Sequence, residues 1–166
     1  MCQQYKINQS PSHPSYTLIT ALTGTWPFAH CSMDLITDLP LSDSFDSILV
    51  VVNRGLTKGV ILMPCNKTIT TKQVANLSLE HLYKQFGLPD EFISDRGPQF
   101  AAHVFQELLR LLGITSKLST AYHPQTDGAT ERVNQEIEAY LLIFYSSFPE
   151  DWAKKLYLVE FTHNNQ

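Results

Sequence analysis

The chain has 166 residues, 43 % hydrophobic and 17 % charged, enough for one compact domain with a buried core and too few to expect two. Twelve Lys and Arg against 16 Asp and Glu give a formal net charge of −4, which argues against a freestanding DNA binder that works through clustered basic residues. No apolar run is long enough to span a bilayer, residues 1–14 are too polar for a signal peptide, and three scattered cysteines (Cys2, Cys31, Cys65) lack a disulfide or zinc rhythm, so a reducing compartment, cytosol or nucleus, is expected.

Residues 1 to about 27 contain Pro11, Pro14 and Pro27 among Ser and Gln and read as a lead-in, with one folded domain over 28–166. Residues 31–37, CSMDLIT, mix β-formers with a buried-looking Asp34. Residues 47–53, SILVVVN, are the continuous apolar run of a strand covered on both faces, and residues 59–65, GVILMPC, follow after a turn at Arg54-Gly55. Short links between these three strands predict an antiparallel meander. The rhythm then becomes helical. Thr70 and Gln73 stand in capping-box spacing, Ala75, Leu79, Leu82 and Phe86 form a stripe, and Gly87 and Pro89 end the helix.

A short strand at 91–94, EFIS, delivers Asp95 to a turn at Arg96-Gly97-Pro98. A helix with Val104, Leu108 and Leu111 in register closes at Gly113, and a strand runs over 114–118. After the breaker-rich stretch 122–128, YHPQTDG, a helix is expected from about Gly128 to Tyr145, with Val133, Ile137, Tyr140, Leu141 and Phe144 inward and Glu131 in its first turn. A last helix near Pro149 turns Trp152, Leu156 and Val159 to the core. The order β-β-β-α-β-α-β-α-α predicts an α/β fold, a mixed sheet flanked by helices whose ligands lie at strand ends.

Three acids occupy positions that such a sheet can bring together: Asp34 in the first strand, Asp95 at the end of the fourth, and Glu131 at a helix start. Each has an ordinary alternative. Asp34 can be a satisfied strand acid, although a lone carboxylate between Met33 and Leu35-Ile36 is costly without a partner. Asp95 can open a turn, and Glu131 can complement the helix dipole. Spacing alone leaves the alternatives level, because with 16 acids a pair at any given separation is common.

The segments around the acids, SMDLITDLP, LPDEFISDRGPQF and LSTAYHPQTDGATERVNQ, resemble in order and spacing the catalytic segments of integrases of Gypsy-type LTR retrotransposons, relatives of the retroviral integrases. The likeness runs from about Trp26 to Asn165. It implies a ribonuclease-H-like fold: a five-stranded sheet, three antiparallel strands then two parallel, flanked by helices. It also implies that Asp34, Asp95 and Glu131 form the acidic triad that holds two Mg²⁺ or Mn²⁺ for 3′-end processing and strand transfer of DNA. In the family's arrangement the first Asp bridges both ions, the second Asp completes one site and the Glu the other. Carboxylates suit that task because hard cations take oxygen ligands and, once bound, offer positive charge to phosphate despite an acidic chain.

The resemblance further implies as partners the DNA ends of a retroelement and its target DNA, no membrane, action in the nucleus or a cytoplasmic particle, and a homo-oligomer. Leu142, Phe148 and Tyr157 could give that oligomer apolar contact, with core packing as the alternative. His123, Gln125 and Thr126 fall in the loop that borders the DNA end, His123 having the ordinary alternative of a loop hydrogen-bonder. Asn134 and Gln135, three and four residues after Glu131, share its face and can reach phosphate or the Glu131 carboxylate, or simply face solvent. The chain departs from the family at three places. Cys2 is expected to be the last remnant of an upstream zinc-binding module, residues 160–166, EFTHNNQ, stand where the family continues into a basic region, and Asn53-Arg54-Gly55-Leu56 replaces an Asp followed by an aromatic. The other reading is therefore a catalytically inactive or repurposed integrase remnant that binds nucleic acid or protein. A ribonuclease or junction resolvase on the same fold is a third.

Overall fold

The computed structural model describes residues 26–55, 57–94, 97–118, 124–145 and 150–165, without the side chains of 99, 104, 124–131, 144 and 145. The meander is present: β1 (His30–Ile36), β2 (Ser47–Asn53) and β3 (Val60–Cys65) are antiparallel neighbours. Strands β4 (Glu91–Ser94) and β5 (Thr115–Leu118) add in parallel on the far side of β1, giving the order β3-β2-β1-β4-β5. This is the sheet expected from the sequence, with β1 at its centre.

Every residue of β2 is buried, as its unbroken apolar run requires, because helices pack on both faces of the sheet. Strand alternation sorts the side chains into two cores. Cys31, Met33, Leu49, Val51, Ile61, Met63 and Phe92 meet the helices of the chain's middle; Ile36, Ile48, Val50, Val52, Val60 and Leu62 meet the two last helices.

On the first face, α1 (Thr71–Leu77) starts with the predicted capping box: the Thr70 hydroxyl accepts from the Gln73 amide, and the Gln73 side chain accepts from the Thr70 N–H. The helix continues through a π-helical segment, Ser78–Tyr83, into α2 (Lys84–Phe86), and Gly87 closes it at φ 82°, a left-handed value that favours glycine. The wider π turn breaks the stripe expected from 3.6-residue spacing. Val74, Ser78 and Leu82 are buried, whereas Leu79 is 59 % exposed. After the short α3 (Pro98–Ala101), α4 (His103–Leu111) buries Phe105 and Leu109, so the expected inward Leu111 is instead on the surface at 69 %. An extended residue, Ala102 at ψ 132°, separates α3 from α4 and resets the rotation of the second helix.

On the second face, α5 (Pro124–Tyr145) packs Val133, Ile137 and Leu141 over β1 and β2, with Tyr140 partly buried. Helix α6 (Trp152–Asn164) packs Trp152, Leu156 and Val159 beside it, as its pattern predicted. Leu142 and Tyr157 are surface residues at 65 % and 67 %, not core, and Phe148 lies outside the described residues.

Two polar fastenings hold α6. At its start the Trp152 indole donates to the Pro40 carbonyl, and the buried Ser42 hydroxyl accepts from the Ala153 N–H while donating to the Glu150 carbonyl. Farther along, Glu160 accepts from the Leu62 N–H at 2.8 Å, and Asn164 both accepts from the Val60 N–H and donates to its carbonyl. These are outward-facing groups of edge strand β3, and at the next outward position stands Pro64, which has no N–H.

Candidate functional site

Asp34 projects from central strand β1 onto the α5–α6 face and is half-buried. Its sequence context demanded a partner, and the fold supplies one from a hundred residues away: Asn134 on α5 donates from Nδ2 to Asp34 Oδ2 at 2.7 Å. The other carboxylate oxygen, Oδ1, accepts from the Leu35 N–H at 2.8 Å. The remaining polar atom of the same amide, Asn134 Oδ1, is buried with no hydrogen-bond partner, an oxygen left for some further group beside Asp34.

Helix α5 begins at Pro124, earlier than Gly128 where its sequence suggested a start. Gly128 costs about 1 kcal/mol inside a helix and reads as a boundary, but Pro at the first helical position is pre-organised and outweighs it. Glu131 therefore lies seven residues past the helix start instead of in the first turn. The dipole effect is confined to that turn, so the ordinary explanation for an acid here loses its basis. Asn134 is one turn further along the same face, so the backbone of Glu131 stands one turn from the Asp34 contact; its side chain lies outside the described residues.

Strand β4 ends at Ser94, ladder partner of Met33 and one residue short of the level of Asp34. Asp95 itself, and His123, lie outside the described residues. Gln125 and Thr126 were expected in a loop, yet their backbone belongs to the first turn of α5; their side chains are not described. Gln135 is exposed. Sequence spacing put Asn134 on the face of Glu131, in reach of phosphate or of the Glu131 carboxylate or facing solvent; the structure shows its amide donating to Asp34, a partner the spacing did not name.

The described donors are of one chemical kind. Cys31 and Cys65 are buried, free thiols; burial pushes Cys65 up to about 12 and Cys31 upward too, so neither offers a thiolate at neutral pH. Asn53 is buried in the β2–β3 turn, where its amide accepts from the Gly55 N–H and donates to Thr57; a Cβ on residue 55 would stand 3.1 Å from that amide oxygen. It is a turn fastener, away from Asp34. Among the described residues no three His, Cys, Asp or Glu gather around one point. The Asp34 carboxylate and the unpartnered Asn134 oxygen are hard donors that suit a divalent oxygen-seeking cation.

A sheet ordered β3-β2-β1-β4-β5, with an aspartate on its central strand facing a long helix, is the ribonuclease-H-like arrangement of integrase catalytic cores. Residues 24–124 match the integrase core domain, and the chain belongs to that family. The Transposon Tf2-3 and Tf2-4 polyproteins of Schizosaccharomyces pombe (strain 972) are each 35 % identical to it over 165 residues. These alignments cover 99 % of this chain and 12 % of each polyprotein, so the chain spans about an eighth of those relatives. Among solved structures, the catalytic core domain of BIV integrase is similar at 27 % identity and a TM-score of 0.62, over 80 % of this chain and 81 % of that one. A chain of the simian T-cell lymphotropic virus intasome in complex with PP2A regulatory subunit B56 gamma shares the fold at 22 % identity and a TM-score of 0.70, over 84 % of this chain and 49 % of that one.

Proposed function

We propose that this integrase core is a catalytically competent polynucleotidyl transferase that processes and joins DNA 3′ ends, with Asp34, Asp95 and Glu131 as its acidic triad. The observation that carries the reading is the 2.7 Å bond from Asn134 to Asp34, which fastens the helix of Glu131 to the strand of Asp34. Asp34 holds the central position, its carboxylate oriented by the Leu35 and Asn134 donors. Asn134 sets the distance between strand and helix. Two divalent cations, Mg²⁺ or Mn²⁺, held by the three carboxylates would activate the attacking oxygen and stabilise the leaving one. His123, Gln125, Thr126 and Gln135 are proposed DNA contacts beside that centre, and the place of action is the nucleus. Exposed Leu142, Ile143, Tyr157 and Phe161 on α5 and α6 provide apolar surface for a second copy, in keeping with an assembly of several subunits.

The test is Glu131→Gln, which keeps shape and removes charge. Reversal of strand transfer on a branched DNA, in Mg²⁺ or Mn²⁺, is expected to fall by about three orders of magnitude while circular dichroism and unfolding stay close to wild type. Equal activity of the two proteins above an EDTA control would return Glu131 to an ordinary helix acid. Absence of activity in wild type would favour the remnant reading.

A further inference from the structure

Apart from His30 on β1, the ladder partner of Glu91, the five strands contain one basic residue, Lys117 on β5, and two acids, Asp34 and Glu91. Register puts all three on the same face. Ser32 on β1 is beside Ile93 on β4, which is beside Lys117 on β5, and Asp34 and Glu91 stand two residues from Ser32 and Ile93 along their own strands. Helices α5 and α6 cover this face over β1, β2 and β3, whereas at its β5 end Thr115 and Lys117 remain exposed. Lys117 reaches diagonally to Glu91, Nζ to Oε2 at 2.5 Å.

The two partners are unequally covered. The Glu91 side chain is 12 % exposed and that of Lys117 59 %, so more than half of the lysine side chain is open to solvent while its acid is nearly covered. A nearly buried carboxylate needs a counter-charge, and neutralising Glu91 is the purely structural use of this lysine. Yet position adds a second use. Two strand spacings across and two residues along separate the Cα atoms of Lys117 and Asp34, about 12 Å in all, or between three and four nucleotide rises of 3.4 Å. A backbone that enters at Asp34 and runs over the open end of the sheet passes Lys117.

We infer that Lys117 is a positioning residue that takes a phosphate of the bound nucleic-acid strand, and that Glu91 competes with that phosphate for it. The inference rests on the proposed DNA function of the Asp34 site. In the free protein the lysine is paired with Glu91; on binding, a phosphate oxygen shares or replaces the carboxylate. The acidic balance of the chain makes one such contact count, because each phosphate neutralised contributes about 0.9 to the slope of log K against log salt.

The experiment measures binding of the 166-residue chain to a short fluorescein-labelled DNA duplex by anisotropy in EDTA, between roughly 50 and 200 mM KCl. Glu91→Gln frees the lysine and is expected to bind several-fold tighter than wild type. The double variant Glu91→Gln/Lys117→Gln, which leaves no buried acid unpaired, is expected to lose about one unit of slope and about tenfold in affinity at the low-salt end relative to Glu91→Gln. Glu91→Gln/Lys117→Arg should restore both. Equal slopes for Glu91→Gln and the double variant, with wild type binding, overturn this inference alone. No binding by wild type or Glu91→Gln removes it together with the DNA reading on which it stands.

Discussion

Among the described residues the Asn134–Asp34 hydrogen bond ties α5 to β1, so this pair is where the fastening of helix to strand can be measured. Asn134→Ala removes the 2.7 Å bond to Asp34 Oδ2. A hydrogen bond to a charged group is worth about 1.5–3 kcal/mol, and the lower end applies because Asp34 is only half-buried and keeps its Leu35 donor. The same substitution deletes the unpartnered Asn134 Oδ1, relieving a burial cost of about 1 kcal/mol. The single variant is therefore expected to lose only about 0.5–1 kcal/mol. The pair itself is isolated by a double-mutant cycle with Asp34→Ala, in which the relief from the orphan oxygen occurs in both legs and cancels. Equilibrium urea unfolding of the four proteins, with a common slope, should give a coupling of about 1.5 kcal/mol. A coupling below about 0.3 kcal/mol, the level at which independent sites add, would mean that the contact does not fasten the helix to the strand.

Glu160 offers a pH test. Burial raises its pKa above the ordinary 4.5, partly offset by the Leu62 N–H and by His81. A carboxyl whose folded value is raised binds more protons folded than unfolded, so its contribution to stability is present below 4.5 and declines as pH rises through the folded value. Glu160→Gln keeps an acceptor for Leu62 and should be more stable than wild type near pH 7, with the gap closing toward pH 4; a gap that does not change with pH would refute this. Thr70→Ala removes half of the capping box and is expected to cost about 1 kcal/mol, or about 3 °C in thermal unfolding, whereas no shift would mean that the π-helical continuation alone stabilises α1.

Local patterns in this chain are strong where one face decides the outcome. The β2 run, the Thr70–Gln73 box and the Trp152-Leu156-Val159 stripe each appear in the structure as spelled, because burial on a single element selects one register. Leu79 and Leu111 were misplaced for a different reason. A π turn and an extended break at Ala102 rotate their helices, and neither leaves a mark in hydrophobic spacing. The start of α5 was obscured by Gly128, a local cost overridden by Pro124 and by packing further along the helix. At the candidate site the sequence supplied the acids and the neighbourhood of Asn134. It could not supply the pairing of Asn134 with Asp34, since a contact spanning a hundred residues depends on how α5 crosses β1, and that is set by the sum of core contacts. Lys117 carries no such signal in the sequence, because the face of a strand cannot be assigned until its neighbours' register is known.

The treatment of β3 bears on how two such molecules can meet. An exposed strand border ordinarily invites an extended segment from another chain to lengthen the sheet. Here the arriving segment would find Val60 and Leu62 already occupied by Asn164 and Glu160, and at residue 64 an imino acid with nothing to donate. Lateral accretion at this border is thus blocked by side chains that imitate a neighbouring strand without being one. What this flank offers a second copy is instead the outer surface of α6, where Tyr157 and Phe161 stand exposed, and an encounter there would leave each sheet at five strands.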